Sequence, residues 1–409
     1  MLRYEQREHT TEGYASTANR SLRAVSLFCG AGGFCEGVRL AGFQIAAAVE
    51  ADPDACKTHS ANFPGVSLFS GDIAGFLRKR CPSSASEIEA TCAPIDLVFG
   101  GPPCQGFSQI GPRDPDDPRN QLYRQFLRVV RRLKPAAFIM ENLPNMLSLN
   151  GGQFRDSILR ACRSAGYGRT TIMSTLASDF GVPQDRRRIF IVGLCDELEI
   201  DTTLEALCLP RLAEFKCAKP VTVWQAISDL PADVSLDDRP VEYPSRRQGQ
   251  PPAYQRLMRL DYDGPLLAAG AKLAQLGGPA MLYNHHTKGM EERRRTIVGL
   301  IQPGMTGANL PKQLWKGIRG HKWRRLSPDK PSYTILAQMS RDLSEWIHPV
   351  ENRWITVREA ARLQSFHDGF VFHGSEYQQL KQVGNAVPPL LGLAIASAVK
   401  SVLRSVRKS

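Results

Sequence analysis

The stretch Arg23-Ala24-Val25-Ser26-Leu27-Phe28-Cys29-Gly30-Ala31-Gly32-Gly33 decides the fold. Ala24–Phe28 is a short apolar run, and the glycines after it lead into Glu36–Leu40, which has helical character. An apolar strand that turns through glycines into a helix is the opening unit of a parallel α/β sheet. Glycines at such a turn let the backbone pass close to a ligand. The spacing is Gly-x-Gly-Gly, not Gly-x-Gly-x-x-Gly, and no phosphate-binding lysine follows. A nucleoside without a pyrophosphate fits this turn better than a dinucleotide, which disfavours a dinucleotide-dependent oxidoreductase.

Working outward, apolar runs recur at Phe43–Val49, Ile95–Phe99, Ala136–Met140, Thr171–Leu176 and Ile189–Val192. Between them, Leu122, Phe126, Val129, Val130 and Leu133 recur at helical spacing, as do Phe154, Ile158 and Cys162. This alternation predicts a doubly wound, mostly parallel α/β sheet covered on both faces, with ligands beyond the carboxyl ends of the strands. The second strand ends at Glu50, where a carboxylate can accept both hydroxyls of a ribose. A third loop, Gly71-Asp72-Ile73, offers a carboxylate and an apolar side chain suited to an adenine amino group and ring.

A chain of 409 residues, 42% hydrophobic, can bury a large core and is expected to form two domains. No uninterrupted apolar run approaches membrane-spanning length, and Met1–Arg20 lacks the apolar segment of a secretory signal. Ten cysteines without a Cys-x-x-Cys pair argue against a zinc site or a disulfide framework, and they read as reduced thiols in a cytosol. The net charge of +12 suits a polyanionic partner, although charge alone does not separate a nucleic-acid enzyme from a generally basic one.

After about residue 200 the chain is broken repeatedly by Pro231, Pro240, Pro244, Pro251, Pro252, Gly277, Gly278 and Pro279. Basic clusters appear at Arg246-Arg247, at Arg293-Arg294-Arg295, and from Lys312 to Arg325 with Trp315, His321 and Trp323 interleaved. Regular structure returns with the capping-box pattern Thr356-Val357-Arg358-Glu359 and with an apolar helix opened by Pro388-Pro389.

Three segments carry the chemistry. Gly100-Gly101-Pro102-Pro103-Cys104-Gln105-Gly106-Phe107-Ser108 follows a strand directly. Its prolines stiffen the backbone before Cys104, and its glycines leave room for a flat substrate, so Cys104 reads as a nucleophile. Cys162 and Cys195 read instead as buried small hydrophobes. Ala136–Met140 delivers Glu141-Asn142-Leu143-Pro144 to the mouth of the sheet, where Glu141 is partly desolvated. In Gln184-Asp185-Arg186-Arg187-Arg188, alternation puts Arg186 and Arg188 on one face, able to reach one anionic or carbonyl-bearing ligand.

In this order the segments resemble the DNA cytosine-5 methyltransferases, most of all those of bacterial restriction-modification systems or their orphan counterparts. Arg325-Leu326-Ser327-Pro328-Asp329-Lys330-Pro331-Ser332-Tyr333-Thr334 and Gly384-Asn385-Ala386-Val387-Pro388 extend the match to the C-terminal helix. The resemblance implies a Rossmann-like, class I methyltransferase fold with S-adenosyl-L-methionine as cofactor. Cys104 would add to C6 of a cytosine flipped from double-stranded DNA, with Glu141 on N3 and the exocyclic amine, and with Arg188 and Arg186 positioning base and sulfur. Phe28, Cys29, Gly30, Gly32, Gly33, Glu50, Asp72, Ile73, Pro103, Leu122, Asn385, Ala386 and Val387 would surround the cofactor.

Gln105, Ser108, Arg293, Arg294, Lys322 and Arg324 are the DNA contacts it suggests, and no metal is implied. Its division of the chain is a tail at 1–22, a catalytic domain at 23–198, a small irregular target-recognition domain at 199–353, and a hinge helix with C-terminal segment at 354–409. The expected setting is a monomer in bacterial cytosol, on or off the nucleoid, with a separately encoded restriction endonuclease as partner. Ser26 stands where the family often has an acid that braces the loop, and Ala51 where it has a bulky residue that packs on adenine. His285-His286 are expected to contact base or phosphate, or to lie on the surface. A related branch methylates transfer RNA but carries a Cys-Phe-Thr element absent here. A DNA-binding regulator that has lost catalysis is disfavoured by the intact Cys104, Glu141, Arg186 and Arg188.

Overall fold

The computed structural model describes residues 20–78, 83–103, 121–243, 251–261, 278–315, 322–339 and 346–406. The main sheet is built from β1 (Arg23–Leu27), β2 (Gln44–Glu50), β3 (Ser67–Ser70), β4 (Leu97–Gly100), β5 (Ala137–Asn142) and β6 (Arg169–Leu176). After the two-residue β7 (Gln184–Asp185), β8 (Arg187–Leu194) completes it. The spatial order is β3-β2-β1-β4-β5-β8-β6. Strands β3 to β5 pair in parallel, whereas β8 runs antiparallel to both β5 and β6. The sheet is mixed and mostly parallel, as the alternation predicts. Only β3 escapes the sequence pattern: it is a four-residue edge strand, half-buried, and too short to show a period.

Helices α1 (Gly33–Leu40), α2 (Pro53–Asn62), α3 (Ile73–Arg78), α4 (Ala85–Cys92), α5 (Leu122–Leu133) and α6 (Gln153–Ser164) alternate with the strands. Burial on both faces explains why the strands read as continuous apolar runs. Successive residues of β4 feed opposite cores: Leu97 and Phe99 pack with Phe34 and Val38, whereas Val98 packs with Phe126 and Phe138. Cys162 is fully enclosed and Cys195 half-buried, and burial pushes the Cys162 thiol up to about 12.

The C-terminal helix, Pro389–Val406, begins at the second proline as expected and packs on α1. Together with the preceding helix it forms a segment, Glu376–Val406, long and apolar enough to cross a membrane, and most of it is buried inside the protein. Glycines make the contact close. A Cβ on Gly37 would lie 2.6 Å from the Pro389 carbonyl oxygen, and one on Gly33 would lie 2.6 Å from that of Val387. The Thr356–Glu359 capping box forms in full, at the start of helix Val357–Leu363.

The remainder is held by short ladders: β9 (Val241–Glu242) with β10 (Met281–Leu282), β11 (Arg324–Arg325) with β13 (Trp346–Ile347), and β12 (Ser332–Tyr333) with β7. Val298, Ile301, Leu310, Trp323, Ile347 and Trp354 form a small core of their own. Arg362 is enclosed and pairs with both Asp229 and Asp368, and Arg259 reaches Asp229 at 2.6 Å. His285 and His286 differ from expectation, being 0% and 3% exposed. His285 bridges the Pro231 carbonyl and the Thr356 hydroxyl, and His286 lies 3.1 Å from Asp238. They pin the middle of the chain to helix Val357–Leu363 and do not face solvent.

Gly37→Val should overpack the α1 contact and lower stability by about 1–3 kcal/mol, read from urea unfolding. The glycine turn rests on His59 and Phe63, whose rings lie 4.7 Å apart. A Cβ on Gly32 would meet Phe63 at 2.3 Å. Burial depresses His59 to about 4, and among the described residues neither ring nitrogen has a hydrogen-bond partner. Its folded pKa lies below the unfolded value, so its contribution is whole above pH 6.5 and is lost as pH falls from 6.5 towards 4. Burial also opposes the charge of Glu36, but His367 and Arg39 outweigh it and hold that carboxyl at about 2, so a second loss follows below pH 4.5. Stability should therefore decline below pH 6.5, by up to about 3 kcal/mol from His59. In His59→Phe the upper part of this decline should shrink, and identical pH profiles for the two proteins would refute the assignment.

Candidate active site

The register of the parallel strands assembles the site. Leu27 pairs with Gly100 and Gly100 with Met140. The Phe28–Gly33 turn, the Gly101-Pro102-Pro103 segment and Glu141-Asn142 therefore leave the sheet side by side, at its carboxyl edge. Side chains are excluded at two points. A Cβ on Gly100 would lie 1.9 Å from the Leu27 carbonyl oxygen, and one on Gly101 would lie 2.8 Å from Glu141 Oε2. Cys104, Gln105 and Ser108 lie outside the described residues, and the half-buried Pro103 is the last described residue before the cysteine.

Glu141 faces Phe190 across the antiparallel β5–β8 pair, which places Arg188 one diagonal step along the same face. Arg188 Nε donates to Glu141 Oε1 at 2.8 Å, with the two side chains 11% and 15% exposed. Burial weighs against the Arg188 charge, and Glu141 offsets it. The result is a partly desolvated carboxylate whose second oxygen points towards the segment that leads to Cys104. Asn142, next in the chain, holds its own corner by accepting the Leu143 N–H at 2.8 Å.

Arg186 has different partners from Arg188. It is 2% exposed, and its two terminal nitrogens each donate at 3.0 Å, one to the Ile335 carbonyl and one to that of Gly384. Alternation correctly sets both arginines inward, but the carbonyls that Arg186 meets belong to the protein. It ties the β7–β8 strand to the segment before Asn385.

The cofactor candidates surround the glycine turn. Gly30 has φ +56°, and among the described residues no atom beyond its own neighbours lies within 4 Å of the point a Cβ would occupy there, so the turn is open on that side. Glu50 Oε2 accepts the Gly30 N–H at 2.8 Å while Oε1 accepts the N–H groups of Ala51 and Asp52. This carboxylate itself braces the loop, and Ser26 is fully buried. Asp72 is exposed at the start of α3, Ile73 is buried beneath it, and Ala51 is exposed. Cys29 is enclosed, Phe28 and Leu122 are half-buried, and Val387 packs over Gly33 with Ala386 half-buried and Asn385 exposed.

Sequence reading missed the tie that holds Asn385 here: Asp52 caps α2 and accepts from Lys381, on the helix ending at Asn385, at 2.7 Å. The Asp-Pro pair opening α2 is its signal. Among the other candidates, Arg293 is exposed, Arg294 lies over Trp323 at 5.8 Å, and Lys322 and Arg324 are half-buried. Among the described residues no cluster of His, Cys, Asp and Glu could hold a metal.

Residues 22–401 match the family model described as C-5 cytosine-specific DNA methylase. The chain is 32% identical to the type II methyltransferase M.AgeI of Thalassovita gelatinovora, over 93% of this chain and 99% of that one. It is 35% identical to M1.HphI of Haemophilus parahaemolyticus, over 93% and 87%. Among solved structures, a prophage-encoded E. coli protein assigned as a DNA modification methyltransferase superposes with a TM-score of 0.73 at 28% identity, covering 94% of this chain and 99% of that one. The Dnmt2 methyltransferase of S. pombe shares the fold at a TM-score of 0.53 and 16% identity, over 94% and 98%. With its class I methyltransferase sheet and with the glycine turn, Glu141 and Arg188 at one edge, the chain belongs to the C-5 cytosine-specific DNA methylases and is a DNA (cytosine-5)-methyltransferase.

Proposed function

We propose that methyl transfer proceeds through a covalent bond between Cys104 and C6 of a cytosine swung out of double-stranded DNA. The observation that carries this reading is the Glu141–Arg188 pair, set against Gly101 three residues before Cys104. Glu141 hydrogen-bonds N3 and the exocyclic amine of the base, drawing electron density from the ring as the Cys104 thiolate attacks C6. Arg188 orients both Glu141 and the base. Arg186 acts one step back, as a positioning residue for the strand that carries Arg188. With C6 saturated, C5 is electron-rich and accepts the methyl group. A base then removes the C5 proton, and the electron pair re-forms the C5–C6 double bond and expels the Cys104 sulfur. Extruding the base costs a few kcal/mol, which contacts with the protein must offset.

The cofactor edge fits S-adenosyl-L-methionine, which supplies an electrophilic methyl group on a sulfonium. The open Gly30 turn accommodates a ligand backbone, and the carboxylates of Glu50 and Asp72 at adjacent strand ends suit hydroxyl and amine donors, not phosphates. Phe28, Cys29, Gly32, Gly33, Ile73, Pro103, Leu122, Asn385, Ala386 and Val387 complete this site. Residues 23–198 form the catalytic part, 199–353 select the DNA sequence, and 354–409 return to the catalytic part. The relatives are named as type II methyltransferases, so a separately encoded restriction endonuclease is the expected functional partner of a cytosolic, monomeric enzyme.

Duplex DNA carrying 5-fluorocytosine should trap a denaturation-resistant adduct, because fluorine cannot leave as the C5 proton does. Cys104→Ser should form no adduct and transfer no methyl group while still binding DNA. Transfer retained in Cys104→Ser would exclude the covalent route.

A further inference from the structure

β11 presents two successive arginines in opposite ways. Arg325 is 3% exposed and anchored by carbonyls of Ile301, His348, Glu351 and Val298 and by the Asn352 side chain. That network fixes the strand, and alternation turns Arg324 to the opposite side. Arg324 lies over Tyr333, its guanidinium carbon 3.9 Å from the ring centroid. Tyr333 is 48% exposed, an unusual position for a large ring, and meets the buried Trp346 edge-on at 6.3 Å. Among the described residues no carboxylate or carbonyl accepts from the Arg324 guanidinium. Among the described residues, a flat cation thus lies on an aromatic platform with none of its side-chain donors engaged.

The platform is coupled to the active site through the backbone. Tyr333 pairs with Asp185 in the β12–β7 ladder, and the Thr334 hydroxyl donates to the Asp185 carbonyl at 2.8 Å. Three residues further, Arg188 pairs with Glu141. We infer that Arg324, stacked on Tyr333, reads a guanine of the recognised DNA sequence through its O6 and N7 edge. This inference rests on the DNA-methylating role proposed above and specifies one of its sequence-selecting contacts. A planar fork of donors fits that edge bidentately, and stacking keeps the fork in one orientation, so less freedom is lost on binding. A phosphate-seeking arginine needs no such fixed plane.

The experiment uses the full-length enzyme and its Arg324→Gln, Arg324→Lys, Tyr333→Phe and Tyr333→Ala variants. Methylated positions are mapped by bisulfite sequencing on a random-sequence duplex library, and the salt dependence of binding is measured on the wild-type site. Arg324→Gln and Arg324→Lys should accept other bases at one guanine position and lose roughly ten- to hundred-fold in kcat/KM on the wild-type site. Their salt slopes should match that of the wild type. Tyr333→Phe should keep full selectivity, and Tyr333→Ala should relax the same position in part. A uniform loss across all sequences with a salt slope lowered by about one would make Arg324 a phosphate contact and overturn the inference. Unchanged selectivity in Arg324→Gln, or a wild-type site without guanine, would overturn it equally. Failure of the wild type to methylate any cytosine in duplex DNA would instead refute the underlying function.

Discussion

A guanidinium held by backbone carbonyls joins three distant parts of this chain in one place. Arg186 donates to the carbonyls of Ile335 and Gly384, 149 and 198 residues away, from a fully enclosed position. Enclosing a charge is costly unless its hydrogen bonds are made, and here two backbone carbonyls take the terminal nitrogens. Because Arg186 adjoins β8, the same contact sets the strand that carries Arg188 against Glu141. Because Gly384 precedes Asn385, it also sets the far end of the chain beside the glycine turn. The Glu141–Arg188 pair and the glycine turn are thereby fixed relative to one another.

Close packing through glycine does the remaining work of closure. The approach of Pro389 to Gly37, of Val387 to Gly33 and of Leu27 to Gly100 is possible only where no Cβ intervenes. The first two of these contacts join residues far apart in the sequence, so a helix made late in the chain covers the first helix of the sheet. The middle region, poor in regular elements, takes its rigidity from buried ion pairs instead. Arg362, Asp229, Asp368 and Arg259 form a network in which each charge has a partner. Removing one member would leave the others enclosed and uncompensated, which costs far more than an exposed pair.

The site is a mixture of what periodicity reveals and what it hides. Glu141 after an apolar run of five residues, Glu50 at a strand end and the capping box at Thr356 all sit where local pattern places them, because each belongs to an element with a strong period or cap. His285 and His286 do not. As a polar pair in an irregular stretch they suggest an exposed contact, yet both are enclosed against Thr356, Pro231 and Asp238. β3 is hidden for a different reason: an edge strand of four residues presents no contrast between its faces.

Local pattern alone determined the alternating α/β sheet, the glycine turn, the order of the chemical segments and the family, since strand period, turn stereochemistry and motif spacing are properties of neighbours in sequence. Only the tertiary structure decided which arginine meets Glu141 and which becomes a brace, that Glu50 supports its own loop, and that Arg324 lies on Tyr333. Those outcomes depend on which carbonyls, rings and carboxylates the folded chain brings within reach of one another. A residue's type fixes what it can bond to, and the packed chain fixes what is within reach.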